Sequence, residues 1–592
     1  MFFRLAVLLL PWSVSAFPGT LLSRDAEINT SYDYVIVGGG TSGLVSILVI
    51  EAGPIFNGEE EFNTILIPGN STLDILGNAN PQLRWGITGQ PNAMLNNRTT
   101  EVIMPKLVGG GSAVNGMVLD RGSRRDYDEW AEYTGDKGWG WESMLKYFKK
   151  VESFTPPSKE LQEQYGLEYD PEAHGYSGHV NSSYPPYVYG YFEHFIAAEK
   201  ALGVPVPRDQ ANGNAVGSYW TPNTLDPVAR TRSYSKTAYY DPAKSRPNLH
   251  LLYGDPDPDQ RRKGSRNSSA ALQQVKAKKE VILAAGGVHS PRLLQLSGIG
   301  DGRLLKKFGI PVVVDLPGVG NNYQDHMGAS LIYNMTLTPD PTQFASNLTY
   351  RAEMAELYFH NRTGPFTLAS GGHLTFYPFP IIAPTSYLSH LHNASLEDPA
   401  AHLRVDIHPH LVAGFREQRK LLLASFATNE TAVNENVIAL TSVQKPLSRG
   451  FVEIVSSSPW DKPTVDWRSL SNPLDMAVIT EGSRFIRRVL ARPELAGIVD
   501  PNEVIPGAGV QTDEEFAAWV AVDARPTFWH SSCSCAMVKR EWGGVVDSKL
   551  KIYGVRGLRI VDASVMPMIP AKHLQNTVYA VAERAANLIK RE

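Results

Sequence analysis

The chain has only two cysteines in 592 residues, Cys533 and Cys535, separated by a single residue. A bridge between residues i and i+2 is hard to close, so a disulfide framework is excluded. Two thiolates alone also make a poor metal site, and both cysteines are expected to be packing residues, with no metal. Long apolar runs are missing too. The N-terminal run from Leu5 to Leu10 falls well short of the ~20 residues a membrane span needs. Neither sign of charge dominates: 56 basic against 60 acidic residues leave a net charge of −4, which argues against nucleic acid or an anionic membrane as partner. What remains is an ordinary globular composition, 43% hydrophobic and 20% charged, in a chain too long for one core. Two packed domains are the natural expectation.

The first residues read as a secretory signal. Arg4 precedes the short apolar run, and Pro11 and Val14-Ser15-Ala16 follow, giving a signal peptide over 1–16 rather than a stable membrane anchor. Asn29, Asn70, Asn97, Asn181, Asn267, Asn334, Asn347, Asn361, Asn393 and Asn429 each open an N-x-Ser/Thr acceptor. A secreted or vesicular, N-glycosylated protein is expected.

Residues 32–40 read as a buried parallel strand running into a glycine turn, and 47–51 as a second strand ending on Glu51. Val281–Ala285 and Leu558–Val561 read as further strands that stop at glycine or aspartate. Thr577–Arg591 has helical spacing without a breaker. Short buried strands at both ends of the chain describe one α/β domain whose pieces are far apart in sequence. Residues 331–529, rich in Pro, Tyr, Phe and His, suggest an antiparallel sheet, with alternating stretches at Val437–Val443 and Gly450–Val455. Residues 254–269 are polar and broken by Pro and Gly, hence a loop.

Gly38-x-Gly40-x-x-Gly43 follows a strand, the context in which glycines let the backbone approach a pyrophosphate. Thr41 and Ser42 lie inside that turn, and Glu51 is placed to accept hydrogen bonds from a ribose. The acid normally comes about 20 residues after the glycines, beyond a crossover helix. Here it follows Gly43 by eight residues. A link that short is expected to forbid the usual strand pair, and about ten residues look missing.

Further motifs carry a family resemblance. Residues 105–116, Pro-Lys-Leu-Val-Gly-Gly-Gly-Ser-Ala-Val-Asn-Gly, and 286–300, Gly-Gly-Val-His-Ser-Pro-Arg-Leu-Leu-Gln-Leu-Ser-Gly-Ile-Gly, resemble the two signatures of the glucose–methanol–choline (GMC) oxidoreductases, with Gly287 where alanine is commoner. Gly318–His326 and Val561–Ser564 are similar to the same family, so the resemblance spans 32 to 592. It implies a discontinuous Rossmann-like FAD-binding domain (31–330 and 530–592, with substrate-side insertions about 155–235) and an α+β substrate-binding domain over 331–529. It implies FAD as cofactor, held by Gly110, Ser112, Asn115, Gly116, Met117, Asp562, Ala563 and Gln575 besides the glycine turn. The family normally has an adenine-contacting strand and hairpin near 250–276, where this chain carries the polar insert.

Phe528-Trp529-His530 resembles the family's histidine motif, and His573-Leu574-Gln575-Asn576 its second. His530 is implied as the base that takes the hydroxyl proton and His573 as the group polarising the alcohol oxygen. His326 and His289 are read as structural. The resemblance points to the fungal aryl-alcohol oxidase and patulin synthase branch. That implies a primary aromatic, allylic or polyketide-derived alcohol, oxygen or a quinone as electron acceptor, and a place in secondary-metabolite biosynthesis. The alternatives are a non-redox FAD-containing cyclase or dehydratase resembling versicolorin B synthase, and an inactive paralogue with impaired FAD binding.

Overall fold

Six parallel strands form the sheet on which the glycine motifs converge, in the order Leu21–Leu22, His250–Leu252, Leu48–Ile50, Ser31–Val37, Lys276–Leu283 and Leu558–Ile560. The computed structural model describes residues 21–22, 28–41, 48–70, 80–254, 273–370 and 372–592. The signal peptide over 1–16, Ser42, Gly43, Asn267 and nearly all of the polar loop at 254–269 lie outside the described residues. Nothing in the sequence pattern marks Leu21–Leu22 as a strand.

The pairing of Ser31–Val37 with Leu48–Ile50 differs from what the short link suggests. Val35 pairs with Leu48 and Val37 with Ile50, in parallel. The chain leaving Val37 therefore has to drop by about 7 Å and step sideways by about 4.8 Å. Residues 38–47 can span about 30 Å when extended. The two strands thus pair without a dozen-residue crossover, because only three residues of the second one are used. The C-terminal ends of all these strands lie along one edge, where open α/β sheets bind their ligands.

The second sheet is five-stranded and antiparallel, ordered Met327–Ser330, Leu440–Val443, Asn434–Val437, His373–Tyr377 and Gly217–Trp220. The stretch Val437–Val443 is not one strand but the turn and second arm of a hairpin, reversed at Ile438, whose φ is +62°. Strand Phe451–Glu453 pairs separately with Thr464–Asp466. The sheet also recruits Met327–Ser330 and Gly217–Trp220, which lie outside 331–529. Helix Pro473–Leu490 starts with Asn472 accepting from the Leu474 amide and Pro473 in its first turn. It buries Leu474, Val478, Ile479, Phe485 and Val489, with the Phe485 ring edge-on to Tyr377 at 4.8 Å. Helix Leu574–Lys590 closes the chain and starts at His573.

Candidate active site

His530 and His573 come from different elements and meet. Their ring centroids are 5.5 Å apart and nearly perpendicular, at 86°. His573 is the residue that caps helix Leu574–Lys590. His530 sits in the loop before Cys533, where Asp325 organises the backbone. Its carboxylate accepts from the amides of His530 (2.9 Å) and Phe528 (3.3 Å) and from the Thr527 hydroxyl (2.6 Å). Burial pushes the Asp325 carboxyl up to about 6 despite these donors. Trp529 adopts φ +65°, a strained choice for a bulky side chain that the Thr527 hydroxyl helps to hold through the Trp529 amide.

The loop also relies on close backbone approach. A Cβ at Gly287 would lie 2.5 Å from the Ser531 carbonyl oxygen, one residue past His530. Gly287→Ala is expected to displace this loop, costing about 1–3 kcal/mol as overpacking does. The check is a lower thermal midpoint together with lower turnover per bound flavin; wild-type values for both contradict the close approach.

His326, read from sequence as structural, is part of this site. Its Nδ1 lies 2.8 Å from His530 Nδ1. Burial pushes His326 down to about 3, with His573 adding to the effect. Burial likewise lowers His530 well below the usual histidine range, reinforced by His326 and His573. His573 behaves oppositely. Burial opposes its charge, but Asp120 and Glu435 outweigh it and raise the imidazole to about 9. Asp120 Oδ2 lies 2.9 Å from His573 Nδ1, and Glu435 Oε1 3.6 Å from Nε2. Neither acid is marked by the sequence motifs. One imidazole is therefore neutral and its neighbour cationic at neutral pH. His289 is buried with its ring 4.0 Å from Trp85 and is held down to about 3 by burial and Arg292.

The flavin-side residues converge on the same region. Gly109 N–H donates to the Gly39 carbonyl at 2.8 Å, bringing the first signature against the glycine turn. A Cβ at Gly110 (φ +49°) would lie 3.0 Å from the Gly40 Cα, and one at Gly38 (φ +115°) 2.3 Å from the Ala284 carbonyl oxygen. Glu51 accepts from the Gly39 and Gly53 amides, both at 2.8 Å, tying the acid to the turn beside Thr41. Asn115 accepts from the Met117 amide and from Arg232, and donates to Gln575 Oε1. The Gln575 Nε2, buried, has no hydrogen-bond partner among the described residues. That orphaned donor and the glycine cradle fit a flat, polar cofactor edge. Gly116 packs toward Ser370, and Ser112 is buried and donates to the Gly109 carbonyl. Asp562 is occupied internally, accepting from the Gly286 amide (2.9 Å), the Ser290 hydroxyl (2.5 Å) and the Ser564 amide (2.8 Å) across Ala563. Cys533 and Cys535 are free and buried.

Comparison with known proteins identifies the family. Residues 32–328 match the N-terminal model of the GMC oxidoreductases, and 446–582 the C-terminal one. The chain belongs to the GMC oxidoreductase family. Dehydrogenase xptC of Emericella nidulans is 35% identical over 626 residues, covering 100% of this chain and 99% of that protein. A solved FAD-dependent oxidoreductase from Chaetomium thermophilum superimposes with a TM-score of 0.87 at 36% identity, covering 95% of this chain and 99% of that one. A fungal aryl-alcohol oxidase gives 0.86 at 32% identity with the same coverage. This GMC member is an FAD oxidoreductase acting on a small molecule. No helix among the described residues is long and apolar enough to cross a membrane.

Proposed function

We propose that the protein oxidises a primary alcohol, of the small aromatic, allylic or polyketide-derived kind, to the aldehyde. The observation that carries the reading is the pair of imidazoles 5.5 Å apart, His573 set between Asp120 and Glu435 and His530 against His326. Neutral His530 takes the hydroxyl proton, its ring oriented by the 2.8 Å contact between its Nδ1 and His326 Nδ1. Cationic His573 donates to the alcohol oxygen as negative charge develops there. FAD supplies the acceptor for the hydride that leaves the carbinol carbon. Half-exposed Trp529 beside His530, and Phe376 edge-on to His573 at 6.3 Å, support an aromatic or unsaturated substrate.

The test is a panel of primary alcohols incubated with the purified protein under air and, separately, with a benzoquinone. Aldehyde formation with benzylic or allylic members supports the proposal, and hydrogen peroxide under air identifies oxygen as the acceptor. No aldehyde from any member with either acceptor overturns it. A secretory route is part of the same proposal. It is supported by the exposure of the acceptor residues Asn29, Asn97, Asn334, Asn347, Asn361, Asn393 and Asn429.

A further inference from the structure

Asp120 lies three residues past Met117 and is completely buried. One carboxylate oxygen faces His573 Nδ1 at 2.9 Å; the other, also buried, has no hydrogen-bond partner among the described residues. Among the described residues this carboxylate hydrogen-bonds to the imidazole. On the other side of the ring, strand Asn434–Val437 brings Glu435 Oε1 to 3.6 Å from Nε2. A neutral imidazole has one N–H, so between two acids it would turn a lone pair toward one of them. The doubly protonated ring suits two ionised neighbours, and His573 in turn opposes the burial that raises the Glu435 carboxyl.

The remaining groups facing this ring complete a balanced set. Lys572, next in the chain, is buried with its ammonium against the Tyr219 hydroxyl and 3.0 Å from the centre of the Phe376 ring. Burial holds Lys572 down to about 7, against the pull of Asp120 and Glu435. His530 faces the ring edge-on, and His326 stands behind His530. Two acidic side chains, Asp120 and Glu435, thus face two basic ones, His573 and Lys572. The Nε2–Glu435 separation of 3.6 Å is too long for a good hydrogen bond, which leaves that N–H free for a substrate oxygen.

We propose that Asp120 is a positioning residue of the oxidation: with Glu435 it keeps His573 doubly protonated, so that His573 only donates and the substrate proton has to go to His530. This rests on the reading of the site as an alcohol-oxidising one. The sign of the pH dependence follows. His573 is cationic below about 9 and loses the proton as pH rises through that value, so turnover holds on the acid side of 9 and falls beyond it. Lys572 discharges earlier, and losing a neighbouring positive charge strengthens the hold of His573 on its proton.

The experiment uses the FAD-containing protein, its histidines labelled with nitrogen-15, and the variants Asp120→Asn and Asp120→Glu. The His573 resonances are assigned by their absence in His573→Ala. Without substrate, wild-type His573 is expected to be doubly protonated at neutral pH and to titrate near 9. Asp120→Asn is expected to lower that titration by about 1–3 units. It also lowers kcat by roughly tenfold or more with a smaller change in KM, and moves the alkaline limb of the kcat profile the same way. Asp120→Glu restores part of both. If Asp120→Asn does not fold, Glu435→Gln is measured identically, with a downward shift expected. A neutral His573 in the wild type, or an unmoved titration in the variant, overturns the proposal. Because the titration is read without substrate, failure of the alcohol-oxidation reading leaves this result separately decided.

Discussion

His530→Ala, with FAD still bound, lowers the rate of flavin reduction by alcohol by at least ~10²-fold, the scale for losing a positioned general base. The reason is local. No other imidazole can replace it: His573 already carries its proton between Asp120 and Glu435, and His326 is completely buried behind His530. The variant leaves Asp325 and its grip on the loop amides intact, so loss of folding does not account for the effect. Anaerobic stopped-flow mixing checks it, with flavin content as the control. Near-normal reduction in the variant removes His530 from its role.

The second large effect concerns the glycine turn. Glu51 follows Gly43 by only eight residues, where the sequence normally carries a crossover helix whose first amides meet a pyrophosphate. Inserting about ten helix-forming residues between Val45 and Ser46 is therefore expected to tighten FAD binding about tenfold or more. An anion at a helix N-terminus gains up to ~2 kcal/mol, and 1.4 kcal/mol is about tenfold. The ratio of flavin to protein absorbance, followed by titration of the stripped proteins with FAD, measures this. Equal affinity, or full FAD occupancy in the natural chain after purification, means that Glu51 and the remaining amides suffice.

Much of this architecture is legible in the sequence because it is local. Strands ending in glycine, the turn at Gly38–Gly40 and the histidine motifs each declare themselves within a dozen residues. The partners that give those histidines their different environments do not. Asp120 reaches His573 across 453 positions and His326 reaches His530 across 204, so no spacing rule links them. The hairpin at 434–443 is obscured for another reason: Ile438 takes a left-handed turn conformation that β-branched residues rarely adopt. The parallel pair at Val35–Val37 is missed because the crossover argument assumes a full-length strand, whereas three residues are enough.

The central claim is that this site removes a proton and a hydride from an alcohol. The direct measurement is the visible absorption of the FAD-loaded protein, mixed anaerobically with a benzylic alcohol. The account predicts that the flavin band bleaches and returns when oxygen or a quinone is admitted, with aldehyde formed in proportion. A band that stays oxidised with benzylic, allylic and polyketide-derived alcohols alike, while FAD remains bound, contradicts it and favours a site that uses its histidines without redox chemistry.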